Sequence, residues 1–506
     1  MVKPDGRDVP ARGAGQDDRS GAGRLARLAA ELAPLLPADA VITDPVRLAT
    51  YDCDGLTSYR ALPGLVVLPE TTAQVAAVVR ACAREGVPFV ARGSGTGLSG
   101  GALPHTEGVL VVTSRMRSVL DIDPFSERAV LQPGVVNLEV TRQAARYGYY
   151  YAPDPSSQLI CSIGGNVAEN SGGAHCLKYG FTTHHVLGLT LVTPQGDVVA
   201  VGGRAPEQPG YDLLGVLVGS EGTLGVATEV TVKLTRAPQA VRTLLAAFAH
   251  TDGAGAATSA IISAGLLPAA IEIMDALAIQ AAEQAVQCNY PAGAGAVLVV
   301  ELDGPAEEVE AELATVQRIC TQQGAYELRV AADDDERARI WKGRKSAFAA
   351  VGRISPDYIV QDGVVPRTAL PAVLRAIGAS ATEGIRVANV FHAGDGNLHP
   401  LVLFDAAVPG QQERAEQVSA AILQLCIDHG GSITGEHGVG VDKAPYLPKM
   451  FSADDLDTMQ LVRCAFDPDG IANPGKVFPT PRLCGEVPGH RRGVHPLVEQ
   501  GLAEQL

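Results

Sequence analysis

No stretch of this chain approaches the roughly 18 consecutive apolar residues that span a bilayer, and no two of its nine cysteines form a CxxC pair. The first absence argues against a membrane-spanning helix. The second removes the usual ligand spacing of an iron–sulfur centre. With an odd cysteine count, it fits reduced thiols in a cytoplasm better than a disulfide framework. Basic charge is also scarce: 40 Lys and Arg stand against 56 Asp and Glu, a formal net charge of −16. Nucleic acid is bound by clustered Lys and Arg, so it is not expected as a partner. Residues 1–23 mix Arg, Asp, Gly and Pro without an apolar h-region. That argues against a secretory signal peptide and predicts a disordered tail. No internal repeat is visible.

Glycine is plentiful at 56 residues, and 46% of the chain is hydrophobic, ample for a core. A length of 506 residues suggests two or three domains, at about 150 residues each. The glycines cluster at 93–101, 164–173, 219–225 and 430–440. Between these clusters, strand-like and helix-like runs alternate, the pattern of a mixed protein. Leu65–Leu68 reads as a buried strand, and Thr71 with Gln74 as a capping box. Val75, Val78, Val79 and Cys82 then line one face of a helix that Gly86 ends. Val87–Arg92 reads as a second strand entering the loop Gly93–Gly101. Many short strands follow to about 235, a boundary falls near Ala237-Pro238, and 240–330 reads as strand–helix–strand–helix.

Gly95-Thr96-Gly97-Leu98-Ser99-Gly100 matches GxGxxG behind a strand, with Asp121 where a ribose-binding acid would sit. The dinucleotide fingerprint needs a helix opening at that loop. Here Ala102-Leu103-Pro104 and the strand-like Gly108–Val112 follow, so the Rossmann reading fails. The alternative is a concave nest of backbone N–H groups suited to a pyrophosphate, with Ser94, Thr96 and Ser99 adding hydroxyls. Asp154-Pro155-Ser156-Ser157, Ile163–Gly173 and Gly219–Val226 are similarly rich in glycine and small polar residues. Such stretches let backbone approach an extended ligand closely.

Further on, Ile385–Phe391 and Leu398–Phe404 read as a hairpin about Gly394-Asp395-Gly396-Asn397. This brings His392 near His399. A helix with Val418, Ala421, Ile422 and Leu425 on one face then leads through Ser432–Thr434 to Gly435-Glu436-His437-Gly438. His392, His399 and Glu436 are candidate ligands for a divalent metal, with zinc, iron and manganese all open. In an extended strand Glu436 and His437 would face opposite ways; Gly435 and Gly438 permit an irregular backbone that aims both inward. His105, His175, His184, His185 and His250 lack such spacing and read as structural or surface residues, with His175, beside Gly172-Gly173, the possible exception. Trp341–Lys345 reads as a basic helix segment, solvated or presenting Arg344 as a clamp for a carboxylate.

Together, Arg92–Gly97, Pro153–Ser157, Gly219–Gly225, His392–His399, Gly435–Gly438 and Asn473-Pro474-Gly475-Lys476 resemble the FAD-linked 2-hydroxyacid dehydrogenases of the vanillyl-alcohol-oxidase type, over roughly 40–480. Tyr51–Leu56, Cys161–Asn170 and Val351–Tyr358 are most similar to the catalytic FAD subunits of bacterial glycolate oxidases. The resemblance implies an α+β fold: a two-part FAD-binding domain of the PCMH type, an α+β cap, and a C-terminal helical segment returning to the FAD domain. The corresponding division is a tail at 1–23, the FAD domain at 24–238, the cap with the metal site at 239–440, a completing segment at 441–480 and a tail at 481–506. It implies FAD contacts from Arg92, Gly93, Ser94, Gly95, Thr96, Gly97, Pro155, Ser156, Ser157, Gly164, Gly165, Asn166, Asn170, Gly173, Glu221, Gly222, Gly225, Val226 and Asn473.

The phosphate loop lacks a histidine, so FAD is expected to be non-covalent. The implied reaction is oxidation of glycolate to glyoxylate. Arg344 would hold the carboxylate, a metal on His392, His399 and Glu436 the hydroxyl, and His437 would serve as base while hydride passes to flavin N5. His437 would need a pKa suited to neutral pH. D-lactate or D-2-hydroxyglutarate are the alternative substrates. Electrons would leave through a second flavin-type subunit and an iron–sulfur subunit. The location expected is cytoplasmic, at the inner face of the plasma membrane through that complex. A metal hydrolase, or a flavin scaffold without catalysis, are the rival readings.

Overall fold

The computed structural model describes residues 21–203, 210–479 and 484. The predicted tails at 1–23 and 481–506 therefore lie largely outside the described residues. Gly21–Gly23 already belong to the helix Gly21–Leu32, which buries Leu28 and Leu32.

Three sheets organise the chain, with a small two-stranded pair besides. The first runs Val41–Ile42, Leu65–Val67, Val109–Val112, Phe89–Arg92, and its last three strands are parallel. Every residue of Leu65–Val67 and Val109–Val112 is buried, as expected for a parallel sheet covered on both faces. The crossover is the helix Thr72–Glu85. Thr71 Oγ1 accepts the Gln74 N–H at 3.2 Å, but Gln74 Oε1 takes the Glu70 N–H at 2.7 Å. The reciprocal arm of the predicted capping box thus slips by one residue. Gly86 closes the helix at φ 61°. The chain passes from Phe89–Arg92 to Val109–Val112 with no intervening helix, which is why the loop at 93–101 is not a Rossmann turn.

The second sheet is antiparallel, ordered Val119–Asp123, Arg128–Leu131, Val226–Lys233, Val186–Val192, Val198–Gly202. The third has eight strands, all between residues 240 and 404. At its centre Ala296–Gly304, Ala270–Asp275, Arg386–His392 and Asn397–Phe404 pair antiparallel in that order. Successive side chains of a strand face opposite ways, and both faces are apolar here. Leu244, Ala246 and Phe248 pack under the helices Thr251–Ser263, Ala306–Gln322, Leu370–Ala379 and Gln411–Asp428. Leu245 and Ala247 pack under Ala276–Val286 and Asp334–Ala350. A sheet held between two helical layers cannot slide without exposing one face, so it fixes the side chains its central hairpin carries. The predicted short strand at 432–434 is reduced to one bridge, Ser432 to Val364.

After the helix Ala453–Phe466 the chain returns to the first sheet. Ala472 bridges Phe89 in parallel, and the Asn473 N–H donates to Phe89 O at 2.8 Å. The reading of all cysteines as reduced thiols is corrected for one pair: Cys464 and Cys484 are joined in a disulfide. A separation of 20 residues has no local signature; only the return of the chain past the helix brings the two together.

Candidate active site

A cleft of about 1480 Å³ runs between the glycine-rich loops and the eight-stranded sheet. Arg92–Gly97, Pro155–Ser157, Gly164–Asn166, Glu221, Gly222, Gly225 and Val226 all line it, as do Glu436 and His437. Among the described residues, the amides of Ser94–Gly97 have no protein acceptor, and Gly95 stands at φ 69°. A left-handed residue among such amides helps turn them inward as an anion nest. The loop lies close against the helix Ile163–Glu169, since a Cβ on Gly93 would sit 2.1 Å from Ser162 Oγ. Arg92 adds charge, with Nη1 anchored on Cys53 O at 2.6 Å.

Three expected cofactor contacts do not line the cleft. Asn170 ends the helix Ile163–Glu169 at φ 51°, and its Oδ1 accepts the Thr183 N–H at 2.9 Å. Gly173 lies so close to Asp154 that a Cβ would meet its carbonyl at 2.5 Å. Asn473 Nδ2 donates to Gly101 O at 2.9 Å and to Glu221 O at 2.6 Å. These residues support the loops rather than face the cleft. Glu221 does line it, but its carboxylate oxygens accept the amides of Val439 at 2.6 Å and Gly440 at 2.7 Å.

Beyond the cleft wall the hairpin sets His392 and His399 edge to face, with ring centroids 5.0 Å apart. In the neighbouring strand Glu272 lies directly opposite His392, and its Oε1 is 2.8 Å from His392 Nδ1. A carboxylate at Nδ1 fixes the tautomer and leaves Nε2 free as a ligand. That Nε2 is 3.4 Å from Glu436 Oε1, and His399 Nε2 is 3.3 Å from the same oxygen. His392 Nε2 and Glu436 Oε2 are buried without a hydrogen-bond partner. Orphaned buried polar atoms are costly, and a divalent cation at the meeting point of this N,N,O set would satisfy them. The donors therefore fit the metal expected from the sequence. Burial favours neutral imidazole, yet Glu272 and Glu436 outweigh it and hold the His392 pKa above its ordinary value. Gly172 is needed as well, because a Cβ there would lie 2.8 Å from Glu436 Oε2.

His437 stacks on His399, centroids 5.0 Å apart. Burial, together with His399 and Lys443, lowers its pKa to about 4 against the pull of Asp362. That lies below the near-neutral value expected, because burial disfavours the charged imidazole.

Arg344, expected to clamp a substrate carboxylate, does not line the cleft. It is 1% exposed, pairs with Glu272, and has Nη2 3.4 Å from His392 Nδ1. The next residue, Lys345, does line the cleft, with Nζ 3.3 Å from Asp154 Oδ2.

Sequence reasoning missed Glu272, Asp362 and Lys443. Asp362 is fully buried. Its Oδ2 accepts the amides of Gly435, Glu436 and His437 at 3.0, 3.2 and 2.8 Å, and Lys443 Nζ lies 3.3 Å away. It also missed a polar hub around His175. The ring stacks on Trp341, with Nδ1 2.9 Å from Asp154 and Nε2 3.1 Å from Glu301; Arg337 and Trp341 also donate to Glu301. The two carboxylates outweigh burial and raise the His175 pKa to about 10. Its ordinary value is 6.5, so the stabilisation it gives is complete below that pH and lost as pH rises through about 10. His175→Gln should destabilise the fold by about 3 kcal/mol at pH 6, with the gap to the parent closing towards pH 10. Thermal unfolding over that range tests this; a gap independent of pH would refute it.

Residues 63–202 match the family "FAD binding domain", and residues 237–477 match "FAD linked oxidases, C-terminal domain". The chain is 52% identical to glycolate oxidase subunit GlcD of Escherichia coli strain K12, over 86% of this chain and 88% of the relative. It is 40% identical to the subunit of that name from Bacillus subtilis strain 168, over 85% and 92%. A D-lactate dehydrogenase of Archaeoglobus fulgidus is 31% identical over 82% and 91%. Among solved structures, 4-ethylphenol oxidase from Gulosibacter chungangensis superposes with a TM-score of 0.76 at 18% identity, covering 91% of this chain and 98% of that one. p-Cresol methylhydroxylase also gives 0.76, at 16% identity, over 90% and 97%. The mixed helix-and-sheet fold is thus that of the PCMH-type flavoproteins. The chain belongs to the FAD-linked oxidase family and is an FAD-dependent oxidoreductase.

Proposed function

We propose that this protein oxidises glycolate to glyoxylate. One observation carries the mechanism: a nest of free amides and a His–His–Glu donor set, with His392 Nε2 and Glu436 Oε2 buried and unpartnered, open on or adjoin the same cleft. The choice of glycolate is supported by 52% identity to the E. coli subunit against 31% to the D-lactate dehydrogenase.

Ser94–Gly97, Arg92, Ser156 and Ser157 would hold the pyrophosphate of FAD, and Gly222–Val226 would line its path. His392, His399 and Glu436 would hold the divalent cation. When bound, FAD supplies a hydride acceptor and the cation supplies a Lewis acid that acidifies a hydroxyl. The chain does the rest. Glu272 holds the His392 ring in one tautomer. His437, neutral and at the cleft wall, receives the hydroxyl proton. Arg344 is buried behind His392 and acts through Glu272. Phe348 and Tyr358 narrow the cleft on the sheet side.

FAD is bound without a covalent link, since the loop at 93–101 offers no histidine. Electrons leave through a second flavin-type subunit and an iron–sulfur subunit, at the inner face of the plasma membrane. The word "subunit" in the relatives' names and the absence of CxxC pairs in this sequence support that assembly.

Dye-linked turnover of the purified chain with glycolate, D-lactate, L-lactate and D-2-hydroxyglutarate tests the reading. Glycolate should give the highest kcat/KM, oxygen should be used slowly, and acid precipitation should release the flavin into the supernatant. A preference of more than about tenfold for D-lactate, the scale on which one methyl group discriminates, would replace glycolate as substrate.

A further inference from the structure

The segment Gly435–Gly440 carries Glu436 and His437 but belongs to no helix or strand. Buried backbone amides normally find acceptors in a ladder or in water. Here all six successive amides go to side chains. Gly435, Glu436 and His437 donate to Asp362 Oδ2, at 3.0, 3.2 and 2.8 Å. Gly438 donates to Thr434 Oγ1 at 3.1 Å. Val439 and Gly440 donate to Glu221 Oε1 and Oε2, at 2.6 and 2.7 Å. Thr434 thus ties the Gly438 amide to Asp362, since its hydroxyl donates to Asp362 Oδ2 at 2.6 Å.

The acceptors come from two parts of the chain far apart in sequence. Asp362 lies between Asp357–Val360 and Gly363–Val364, strands that both pair with one edge of the hairpin strand bearing His399. Glu221 follows the helix Leu213–Leu217, within the glycine-rich cleft segment. Besides Thr434, Asp362 meets the buried Lys443 and His399 and the wall residue His437. An irregular backbone with every amide assigned has one shape, and that shape aims both Glu436 and His437 at the site.

We propose that Asp362, with Thr434, and Glu221 are positioning residues: a two-carboxylate clamp that sets the aim of Glu436 and His437 and ties it to the cofactor side of the cleft. The inference rests on the metal reading for its catalytic meaning. Its structural content is separate, and so is its measurement.

Amide hydrogen exchange of the whole chain, read by mass spectrometry on peptides covering 434–443, measures the clamp without any metal. Exchange should be slow in the parent and at least about tenfold faster in Glu221→Gln at 439–440, where an NH2 donor replaces one of the two acceptor oxygens and faces a backbone N–H. Cobalt(II) titration of the same proteins reads the aim of Glu436. Loss of an outer support should weaken binding about 10–100-fold, with the flavin absorbance unchanged. Thr434→Val should reproduce both effects and Thr434→Ser restore them; this pair decides if Glu221→Gln does not fold. Unchanged exchange in Glu221→Gln or Thr434→Val overturns the clamp, as does cobalt affinity equal to a cobalt-binding parent. A parent that binds no cobalt while its variants exchange faster overturns the metal reading and leaves the clamp standing.

Discussion

Replacing His437 with alanine should lower kcat by about 10²–10⁴, the usual worth of a general base. KM for glycolate and the flavin absorbance should hardly change. Solvation decides the protonation state of the ring. His437 is held between His399, Lys443 and the buried wall, and these push its pKa to about 4. At working pH the ring is therefore neutral and has a lone pair to offer. It lines the cleft, so a proton taken from a bound hydroxyl can pass on to water there. His392 and His399 do not share this freedom: Glu272 engages one, and Asp362 and Glu436 flank the other. Steady-state kinetics of His437→Ala decide the point. Turnover within about a factor of two of the parent would remove His437 from the chemistry and leave it a packing residue, because a working base is worth far more.

Removing the metal should cost a comparable amount. His392→Ala, His399→Ala or Glu436→Gln each delete a donor from a three-donor set, and the loss of Lewis-acid stabilisation is worth several kcal/mol. That corresponds to a fall in kcat/KM on the order of 10³-fold. Chelation of the parent should give the same loss, and added zinc, manganese or iron should restore the parent but not the variants. Metal content measured alongside turnover distinguishes a lost ion from a lost fold. Chelated enzyme that keeps full activity would dismiss the metal. Arg344→Met should act in the same direction, through Glu272, by weakening metal binding. A rise in KM for glycolate with metal content unchanged would instead return Arg344 to the role of carboxylate clamp.

What could be read in advance follows the distance over which each contact is encoded. The nest at 93–101 and the rejection of a Rossmann turn needed only the neighbouring residues, because glycine spacing and the absence of a following helix are local. The meeting of His392 and His399 needed only a hairpin, and Gly394-Asp395-Gly396-Asn397 announces one. Glu272 was out of reach: it faces His392 across a ladder that joins segments 120 residues apart, and nothing in Ala270–Asp275 states its partner. Asp362 was hidden for the same reason. A basic helix segment gives no sign of which face is sealed, and here Arg344 faces the buried Glu272. His175 stood out only through its neighbours Gly172-Gly173; its partners, Asp154 and Glu301, come from separate parts of the fold and left no local sign. The disulfide between Cys464 and Cys484 required the return path of the chain past its own last helix.

The assignment of each amide from Gly435 to Gly440 has a consequence for chain length. A surface loop normally tolerates an added or deleted residue, since loop closure costs grow slowly with length. Here one insertion would move every later N–H off its acceptor, sending the Val439 amide past Glu221 and rotating His437 away from the cleft. The segment thus behaves like a key cut to a fixed number of notches. Side chains within it have latitude wherever they meet no neighbour, whereas the count of residues between Thr434 and Val441 has none.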